Sequence, residues 1–167
     1  MSFQLAVESH FDAAHRLIHH KGKCRHLHGH TYKVKAVFSS STILGEIGMI
    51  VDFGLLKNLL EIVLASYDHA LLLNDKDTLA DNLQSFAPTN DAPRICLLEA
   101  DPTAEVVGRQ LFADIQHILQ GKVTLLPEQQ NLLTSLLQAY NDNKVDIESV
   151  CVWEGMSSSV TYSARYR

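Results

Sequence analysis

Residues 24–40 read CRHLHGHTYKVKAVFSS, and this stretch decides how the first half of the chain folds. From Tyr32 onward apolar and polar residues alternate, and the same alternation occurs earlier, over residues 3–11. Because the side chains of a strand point alternately to its two faces, a period of two predicts a half-buried β-strand. We therefore expect two strands, paired antiparallel, on either side of a histidine-rich connection.

Three later segments have helical spacing instead. Asp52 stands at an N-cap position before apolar residues that recur every three or four positions, which predicts a helix over about 53–66. Thr103 likewise precedes a helix that ends near Gly121. Pro127 stands at the first position of a third predicted helix.

The end of the chain has the pattern of a β-hairpin. Residues 147–154 and 160–166 are largely apolar or aromatic and flank a short turn that contains Gly155. Consecutive antiparallel strands with helices between them predict an α+β fold, in which helices cover one face of an antiparallel sheet. The length of 167 residues suits a single domain over residues 1–167.

The composition excludes several classes of protein. Hydrophobic residues make up 46% of the chain and charged residues 20%, which is close to the average for folded domains. No apolar run approaches the ~18 residues of a membrane helix, and no leader pattern begins the chain, so we expect an unexported, cytoplasmic protein with no membrane partner. Cys24, Cys96 and Cys151 are far apart and include no Cys-x-x-Cys pair, which argues against a disulfide framework and a structural zinc knuckle.

Positive charge is concentrated in one segment. The formal net charge is -5, yet residues 15–35 contain six lysines and arginines and no acidic residue. Nucleic-acid-binding domains are usually basic as a whole, whereas a local patch on an acidic protein suits a small anionic substrate. We therefore expect an anionic small molecule as the partner and no nucleic acid.

Histidines are concentrated in the same region. His28 and His30 are two residues apart, so on an extended strand their side chains point to the same side and can share one metal ion. His15, at the end of the first predicted strand, could return beside them, and three imidazoles with an open fourth position describe a catalytic zinc site. Three other histidines compete for the third place, namely His10, His26 and His69. The alternative is a surface histidine cluster that holds no physiological metal.

Cys24, Asp68 and His69 are candidates for proton transfer. Cys24 lies between Lys23 and Arg25, and cationic surroundings favour a thiolate that can act as a base or nucleophile. Asp68 directly precedes His69, and a carboxylate beside an imidazole can set its tautomer and basicity. Taken alone, such a pair near a helix end more often satisfies backbone groups.

Two carboxylates remain as candidates for ligand binding. Glu154 ends an apolar run, where a carboxylate needs a partner, and a heterocycle with adjacent N–H donors would satisfy both of its oxygens. Glu105 follows Thr103 in the first turn of a predicted helix, where the helix dipole favours an anion, so a capping role explains it more simply.

Together, six motifs in this order resemble the 6-pyruvoyl-tetrahydropterin synthase family over nearly the whole chain. They are Phe11-Asp12-Ala13-Ala14-His15, Cys24-x-x-x-His28-Gly29-His30, Gly48-Met49-Ile50-Val51-Asp52-Phe53, Asp68-His69, Pro102-Thr103-Ala104-Glu105 and Trp153-Glu154. The three residues between Cys24 and His28 are typical of the carboxy-forming branch, which acts in queuosine (7-deazaguanine) biosynthesis. Pyruvoyl-forming members usually have a longer gap.

The resemblance implies a tunnelling fold, whose sheets join in a homo-oligomeric barrel, a hexamer, with active sites between subunits. It implies 7,8-dihydroneopterin triphosphate as substrate. It further implies Zn²⁺ held by His15, His28 and His30, proton transfer by Cys24 with Asp68 and His69, and pterin binding by Glu154, Glu105 and Thr103. The carboxy-forming reaction releases 6-carboxy-5,6,7,8-tetrahydropterin, acetaldehyde and triphosphate as a carbon-carbon lyase, whereas the pyruvoyl-forming reaction only eliminates triphosphate.

Two departures from the family pattern leave alternatives open. Gly155 follows Glu154 where the family commonly has threonine, and residues 75–94 and 121–144 look like insertions into the compact core. The alternatives are the pyruvoyl-forming activity, another zinc enzyme on the same scaffold, and a zinc- or pterin-binding protein without catalysis. The retained Cys24, Asp68 and His69 argue against the last of these.

Overall fold

The computed structural model describes residues 2–40, 48–86, 93–142 and 144–164. Its strands and helices follow one another in a single sheet-and-helix unit. They are β1 (Phe3–His15), β2 (His28–Ser40), α1 (Phe53–Leu64), β3 (Ala70–Asn74), α2 (Thr78–Phe86), β4 (Ile95–Leu98), α3 (Ala104–Leu119), α4 (Pro127–Asn141), β5 (Asp146–Glu154) and β6 (Ser158–Ser163), with a 3-10 turn at Lys23–Arg25. No helix among these residues has both the length and the apolarity needed to cross a bilayer.

The six strands form one sheet in the order β4-β3-β1-β2-β5-β6, with helices packed on one face. This confirms the predicted α+β class. The two antiparallel pairs expected from the sequence are present, because β1 pairs with β2 and β5 pairs with β6. Strands β2 and β5, whose pairing the sequence did not predict, are also antiparallel. On β1 and β2 the apolar positions of the alternating pattern form the buried face.

The sheet is mixed rather than wholly antiparallel. Strand β3 pairs parallel to β1, and β4 pairs parallel to β3. Parallel neighbours need a crossover connection, and α2 lies in the connection between β3 and β4. The sequence predicted residues 75–94 only as a surface excursion because of their Asp, Asn and Pro content, whereas the structure forms a 9-residue helix within them. Strand β4 is an edge strand, which explains why Leu97 is exposed although a buried segment was expected.

The predicted helices begin close to their expected positions. Asp52 caps α1 by accepting a hydrogen bond from the Gly54 backbone N–H at 2.6 Å. Thr103 caps α3, and Pro127 is the first residue of α4. Within α4 two buried leucines, Leu133 and Leu136, join the core cluster. The segment predicted as the second insertion therefore contributes to the core and does not merely decorate the surface.

The turn between β5 and β6 explains Gly155. Its backbone has a φ of 73°, a left-handed conformation that glycine adopts without the steric cost of a Cβ atom. The turn directly follows Glu154, so the replacement of the family's threonine serves the hairpin geometry at this point. Parts of three sequence predictions lie outside the described residues: residues 87–92 of the first insertion, Asn143 after α4, and the end of the hairpin from residue 165.

Candidate metal centre and active site

The register of β1, β2 and β5 brings the candidate ligands together at one end of the core. His15 lies opposite His28, and Ala13 lies opposite His30, in the antiparallel β1–β2 pair. Tyr32, two residues further along β2, lies opposite Glu154 of β5. The four side chains His15, His28, His30 and Glu154 each offer one ligand atom, and these atoms lie within 4.8 Å of one another.

The ligand atoms approach one another closely. His15 Nε2 lies 3.1 Å from His28 Nε2 and 3.2 Å from Glu154 Oε1. His30 Nε2 lies 3.3 Å from the same carboxylate oxygen. His15 is fully buried, whereas His30 and Glu154 are about a quarter to a third exposed, at 27% and 29%. The cluster therefore has a closed, buried side and an open side.

Backbone carbonyls determine which nitrogen of two histidines faces the cluster. His15 Nδ1 lies 2.8 Å from the Pro102 carbonyl, and His28 Nδ1 lies 2.8 Å from the His26 carbonyl. A carbonyl can only accept, so each Nδ1 carries the proton and donates. In the neutral tautomers both Nε2 atoms then present lone pairs to the cluster, an arrangement that metal-binding histidines share.

Lone pairs and a carboxylate oxygen this close together need a cation between them. The contact with His15 is the main cause of the lowered pKa of Glu154, so this group is a carboxylate anion beside the imidazoles. Burial lowers the pKa of His30, which keeps that imidazole neutral. One divalent ion can satisfy the three imidazole nitrogens together and leave a further position open. The donor set therefore fits a metal ion of the nitrogen-preferring kind.

Tyr32 forms the floor of this cluster. It is fully buried, and its hydroxyl lies 3.1 Å from His15 Nδ1. Burial, together with the nearby Glu154 charge, raises the pKa of the Tyr32 phenol, which therefore stays protonated. The alternating pattern predicts Tyr32 only as a strand residue on the buried face, because this position gives no sign of a polar partner.

Asp68 and His69 form a hydrogen-bonded pair at the end of the turn after α1. His69 Nδ1 lies 2.9 Å from Asp68 Oδ2, and the other carboxylate oxygen accepts a hydrogen bond from the Asp12 backbone N–H at 3.0 Å. The latter bond is the main cause of the lowered pKa of Asp68, and the His69 contact adds to it. An ionised Asp68 accepts from Nδ1–H, so the neutral His69 ring has its free lone pair on Nε2.

This pair shares an open groove of about 510 Å³ with the metal cluster, because both His69 and His30 line it. His69 has a φ of 55°, a left-handed conformation that costs on the order of 1–3 kcal/mol and persists where surrounding contacts impose it. A hydrogen bond of 2.7 Å from the His69 N–H to the Asp12 carbonyl is one of those contacts. The strained turn thus directs His69 to the same groove as His30.

Cys24 lies in the 3-10 turn that leads into β2 and is partly buried. Its carbonyl accepts a hydrogen bond of 2.9 Å from the Leu17 backbone N–H, which ties the turn back to the end of β1. Among the described residues, no hydrogen bond joins its thiol to Asp68 or His69. The structure therefore places Cys24 beside the strand of His28 and His30 but does not bring it to the proposed relay pair within one chain.

Thr103 is the N-cap of α3, and Glu105 lies in the first turn of this helix. The Thr103 side chain accepts a hydrogen bond of 3.4 Å from the Val106 N–H, as a capping residue does. Pro102, the residue before it, supplies the carbonyl that orients His15. Glu105 is exposed in the first turn, as expected for an anion near the positive end of the helix dipole.

The lysines and arginines of the basic segment, residues 15–35, include some that pair with acidic side chains and others that are exposed. Arg16 donates two hydrogen bonds to the buried Asp77 carboxylate, and Lys33 pairs with Glu8 at 2.8 Å. Lys21, Lys23 and Arg25 are instead exposed in and around the turn that carries Cys24. Positive charge is therefore available at the loop before β2, whereas Arg16 and Lys33 are engaged within the fold.

These observations define the class of protein: an α+β fold with a mononuclear metal centre candidate at the end of its core and a histidine–carboxylate pair in the adjoining groove. The chain belongs to the 6-pyruvoyl tetrahydropterin synthase family, whose model matches residues 4–165. The resemblance inferred from the sequence motifs is thereby confirmed.

Curated relatives indicate the branch within the family. A Rickettsia bellii protein named 6-carboxy-5,6,7,8-tetrahydropterin synthase is 36% identical over 107 residues, which cover 63% of this chain and 74% of the relative. A Haemophilus influenzae protein of the same name is 25% identical over 163 residues, covering 96% of this chain and 98% of the relative. These relatives confirm the predicted similarity to the carboxy-forming branch and the prediction of a lyase-type enzyme.

Solved structures support the fold. Over 97% of both chains, Plasmodium vivax 6-pyruvoyltetrahydropterin synthase matches with a TM-score of 0.65 at 20% identity. An uncharacterised protein from Wolinella succinogenes matches over 99% of both chains with a TM-score of 0.70, also at 20% identity. At this level of identity the match establishes the fold and carries no conclusion about the substrate.

Proposed function

We propose that this chain converts 7,8-dihydroneopterin triphosphate to 6-carboxy-5,6,7,8-tetrahydropterin, acetaldehyde and triphosphate, with Zn²⁺, in queuosine (7-deazaguanine) biosynthesis. The convergence of His15, His28, His30 and Glu154 within 4.8 Å is the observation that carries the proposal, because it supplies a metal site beside a proton-relay pair. The names of the curated relatives and the spacing between Cys24 and His28 support the carboxy-forming reaction.

The imidazoles of His15, His28 and His30 would hold the metal, with their Nε2 atoms as the candidate donors for His15 and His28. Bound there, zinc would supply a Lewis acid for a hydroxyl or developing enolate on the substrate side chain. The Pro102 and His26 carbonyls keep two of these imidazoles in the required tautomer. The buried side of the cluster, floored by Tyr32, excludes water from behind the ligands.

Cys24 and His69 are the proposed proton carriers, and Asp68 orients His69. The His69 Nε2 lone pair would accept a proton at the groove while Nδ1–H remains hydrogen-bonded to Asp68. A substrate carbon that loses a proton on one side and gains one on the other needs two such groups. Since one chain does not join Cys24 to Asp68 or His69, we propose that they act together across a subunit contact.

Different residues are proposed to bind the two ends of the substrate, its pterin ring and its triphosphate. Glu154, with Glu105 and Thr103, would hold the pterin ring through its adjacent N–H donors. The exposed Lys21, Lys23 and Arg25 would attract the triphosphate, since a local basic patch concentrates an anionic substrate near the site.

The remaining features of the proposal concern the assembly and its surroundings. We propose a cytoplasmic homo-oligomer, a hexamer, built from one 6-pyruvoyl-tetrahydropterin synthase-like domain over residues 1–167. Residues 75–94 and 121–144 are proposed as insertions in that domain. The pyruvoyl-forming reaction is the second candidate, favoured by the name of the family whose model matches residues 4–165.

A product assay distinguishes these reactions. The zinc-loaded protein is incubated with 7,8-dihydroneopterin triphosphate, and the products are separated and identified by mass spectrometry. We expect 6-carboxy-5,6,7,8-tetrahydropterin together with acetaldehyde and triphosphate. Release of triphosphate with a 6-pyruvoyl product would assign the second reaction, and the absence of any product would reduce the chain to a metal- or pterin-binding protein.

Replacing Glu154 with glutamine tests the pterin anchor. The change keeps the shape but turns one acceptor into a donor that faces a donor of the pterin ring. A lost hydrogen bond to a charged group costs about 1.5–3 kcal/mol, so the affinity for a pterin analogue should fall by about tenfold or more in isothermal titration. We expect the zinc content to be unchanged.

Glu105→Gln is the matched comparison, because Glu105 is exposed in the first turn of α3 and undergoes the same chemical change. A smaller loss of affinity is expected for it. Loss of zinc from Glu154→Gln would instead make Glu154 a metal ligand, an alternative that its distance of 3.2 Å from His15 Nε2 makes concrete. A large effect for Glu105→Gln alone would move the pterin anchor to that residue.

A further inference from the structure

The turn that carries Asp68 and His69 is held by a side chain from outside the recognised motifs. Arg94 Nη1 donates one hydrogen bond to the Ala65 carbonyl at 2.8 Å and another to the Asp68 carbonyl at 3.1 Å. The Arg94 carbonyl in turn accepts a hydrogen bond of 2.8 Å from the Leu71 N–H. Arg94 therefore contacts residues on both sides of His69.

The Ala65 and Asp68 carbonyls, which Arg94 binds, have few other hydrogen-bond donors available. Ala65 is the C-cap of α1, where the last carbonyls of a helix lack partners within the helix and the dipole favours a cation. Asp68 precedes His69, whose left-handed backbone redirects the chain from the helix into β3. A planar guanidinium can reach both carbonyls through the two hydrogens of one nitrogen, which fixes their separation.

Other contacts hold the turn from the sides of β1 and α3, and Arg94 holds it from a third side. Asp12 holds the Asp68 carboxylate and the His69 N–H by its own backbone atoms, and so fixes the turn from the side of β1. The Tyr67 hydroxyl donates to the Asp114 carboxylate and fixes it from the side of α3. Arg94 is the contact on the side of β4, and it binds the peptide that joins Asp68 to His69.

We propose that Arg94 is a positioning residue for His69: by bridging the carbonyls of Ala65 and Asp68, it holds the turn so that His69 Nδ1–H faces Asp68 and Nε2 faces the groove. The inference rests on the proposed function of Asp68 and His69 as a proton relay. Arg94 is the last residue of the predicted insertion at 75–94, so this segment would also contribute to the site.

The test compares Arg94→Gln with the control Arg109→Gln in the zinc-loaded protein. Arg109 forms an exposed ion pair with Glu99 and has no contact with the proposed site residues. Arg109→Gln therefore makes the same chemical change away from the site. Because general acid–base catalysis contributes about 10²–10⁴-fold, a misdirected His69 should lower kcat by about tenfold or more. KM should change by less than about threefold, since the substrate-binding groups remain in place.

Two further readouts separate positioning from general stability. The ¹⁵N chemical shifts of the His69 ring, assigned by comparison with His69→Gln, should show the Nδ1–H tautomer in the unaltered protein and in Arg109→Gln, and a mixture of tautomers in Arg94→Gln. For Arg94→Ala, millimolar guanidinium should restore part of the lost kcat, because it can occupy the vacated place between the two carbonyls.

Each outcome decides the proposal. A lower kcat with tautomer mixing and guanidinium rescue supports it. An unchanged kcat, or a lower kcat with the Nδ1–H tautomer retained and no rescue, overturns it and leaves Arg94 as a helix cap. If the unaltered protein forms no product at all, the proposed function fails, and the tautomer measurement still shows whether Arg94 orients His69.

Discussion

The His15→Ala variant is expected to lose its zinc and, with it, all measurable turnover. His15 is the fully buried member of the cluster, and its Nε2 lies 3.1 Å from His28 Nε2. Changes to groups that merely orient a ligand cost about 10–100-fold in metal affinity, so loss of the ligand itself should cost about 100-fold or more. The measurement is zinc content by mass spectrometry after dialysis, together with the rate of product formation.

His26→Ala is the matched control for this experiment. The His26 side chain is exposed, whereas its backbone carbonyl, which orients His28, is retained in the alanine variant. This variant should therefore keep a full zinc complement. If it loses zinc while His15→Ala retains it, His26 rather than His15 is the third ligand.

The sequence was sufficient to predict the part of the cluster that is local to β1 and β2. An alternating pattern fixes which face each residue occupies, and the tight pairing of two consecutive strands then brings His15 opposite His28. The same reasoning predicted where α1, α3 and α4 begin, because capping residues act on neighbouring backbone atoms. These features depend on short stretches of chain.

Features that depend on distant parts of the chain were not predictable. Glu154 reaches His15 and His30 only because β5, more than 100 residues later, pairs with β2, and no local pattern specifies that pairing or its register. From the sequence, Glu154 is therefore expected to bind the pterin alone. The parallel pairing of β3 and β4 was missed for the same reason, since it depends on a crossover and not on the composition of either strand.

Backbone groups and long side chains were missed for a different reason. The Pro102 carbonyl orients His15. Because every residue has a carbonyl, nothing in the amino-acid sequence marks Pro102 for that role. Arg94 follows the Asp- and Asn-rich segment that indicated a surface excursion, and its contacts with Ala65 and Asp68 depend on where that segment returns. A site of this kind is therefore outlined by its motif residues and completed by contacts that only the fold provides.

Cys24→Ala is expected to abolish product formation while zinc stays bound. The thiol is proposed as a proton carrier, and the three imidazoles complete the protein's proposed share of the metal coordination, so the change removes one function and leaves the other. Since a general acid or base contributes about 10²–10⁴-fold, the rate should fall by at least about 100-fold, with unchanged zinc content by mass spectrometry.

Cys151→Ala is the matched control, because that partly buried cysteine on β5 has no assigned role and should keep both zinc and turnover. Loss of zinc from Cys24→Ala would make the thiol a ligand, and substantial turnover would remove it from the mechanism. If both expectations hold, the Cys24 thiol acts in the reaction and not in binding the metal.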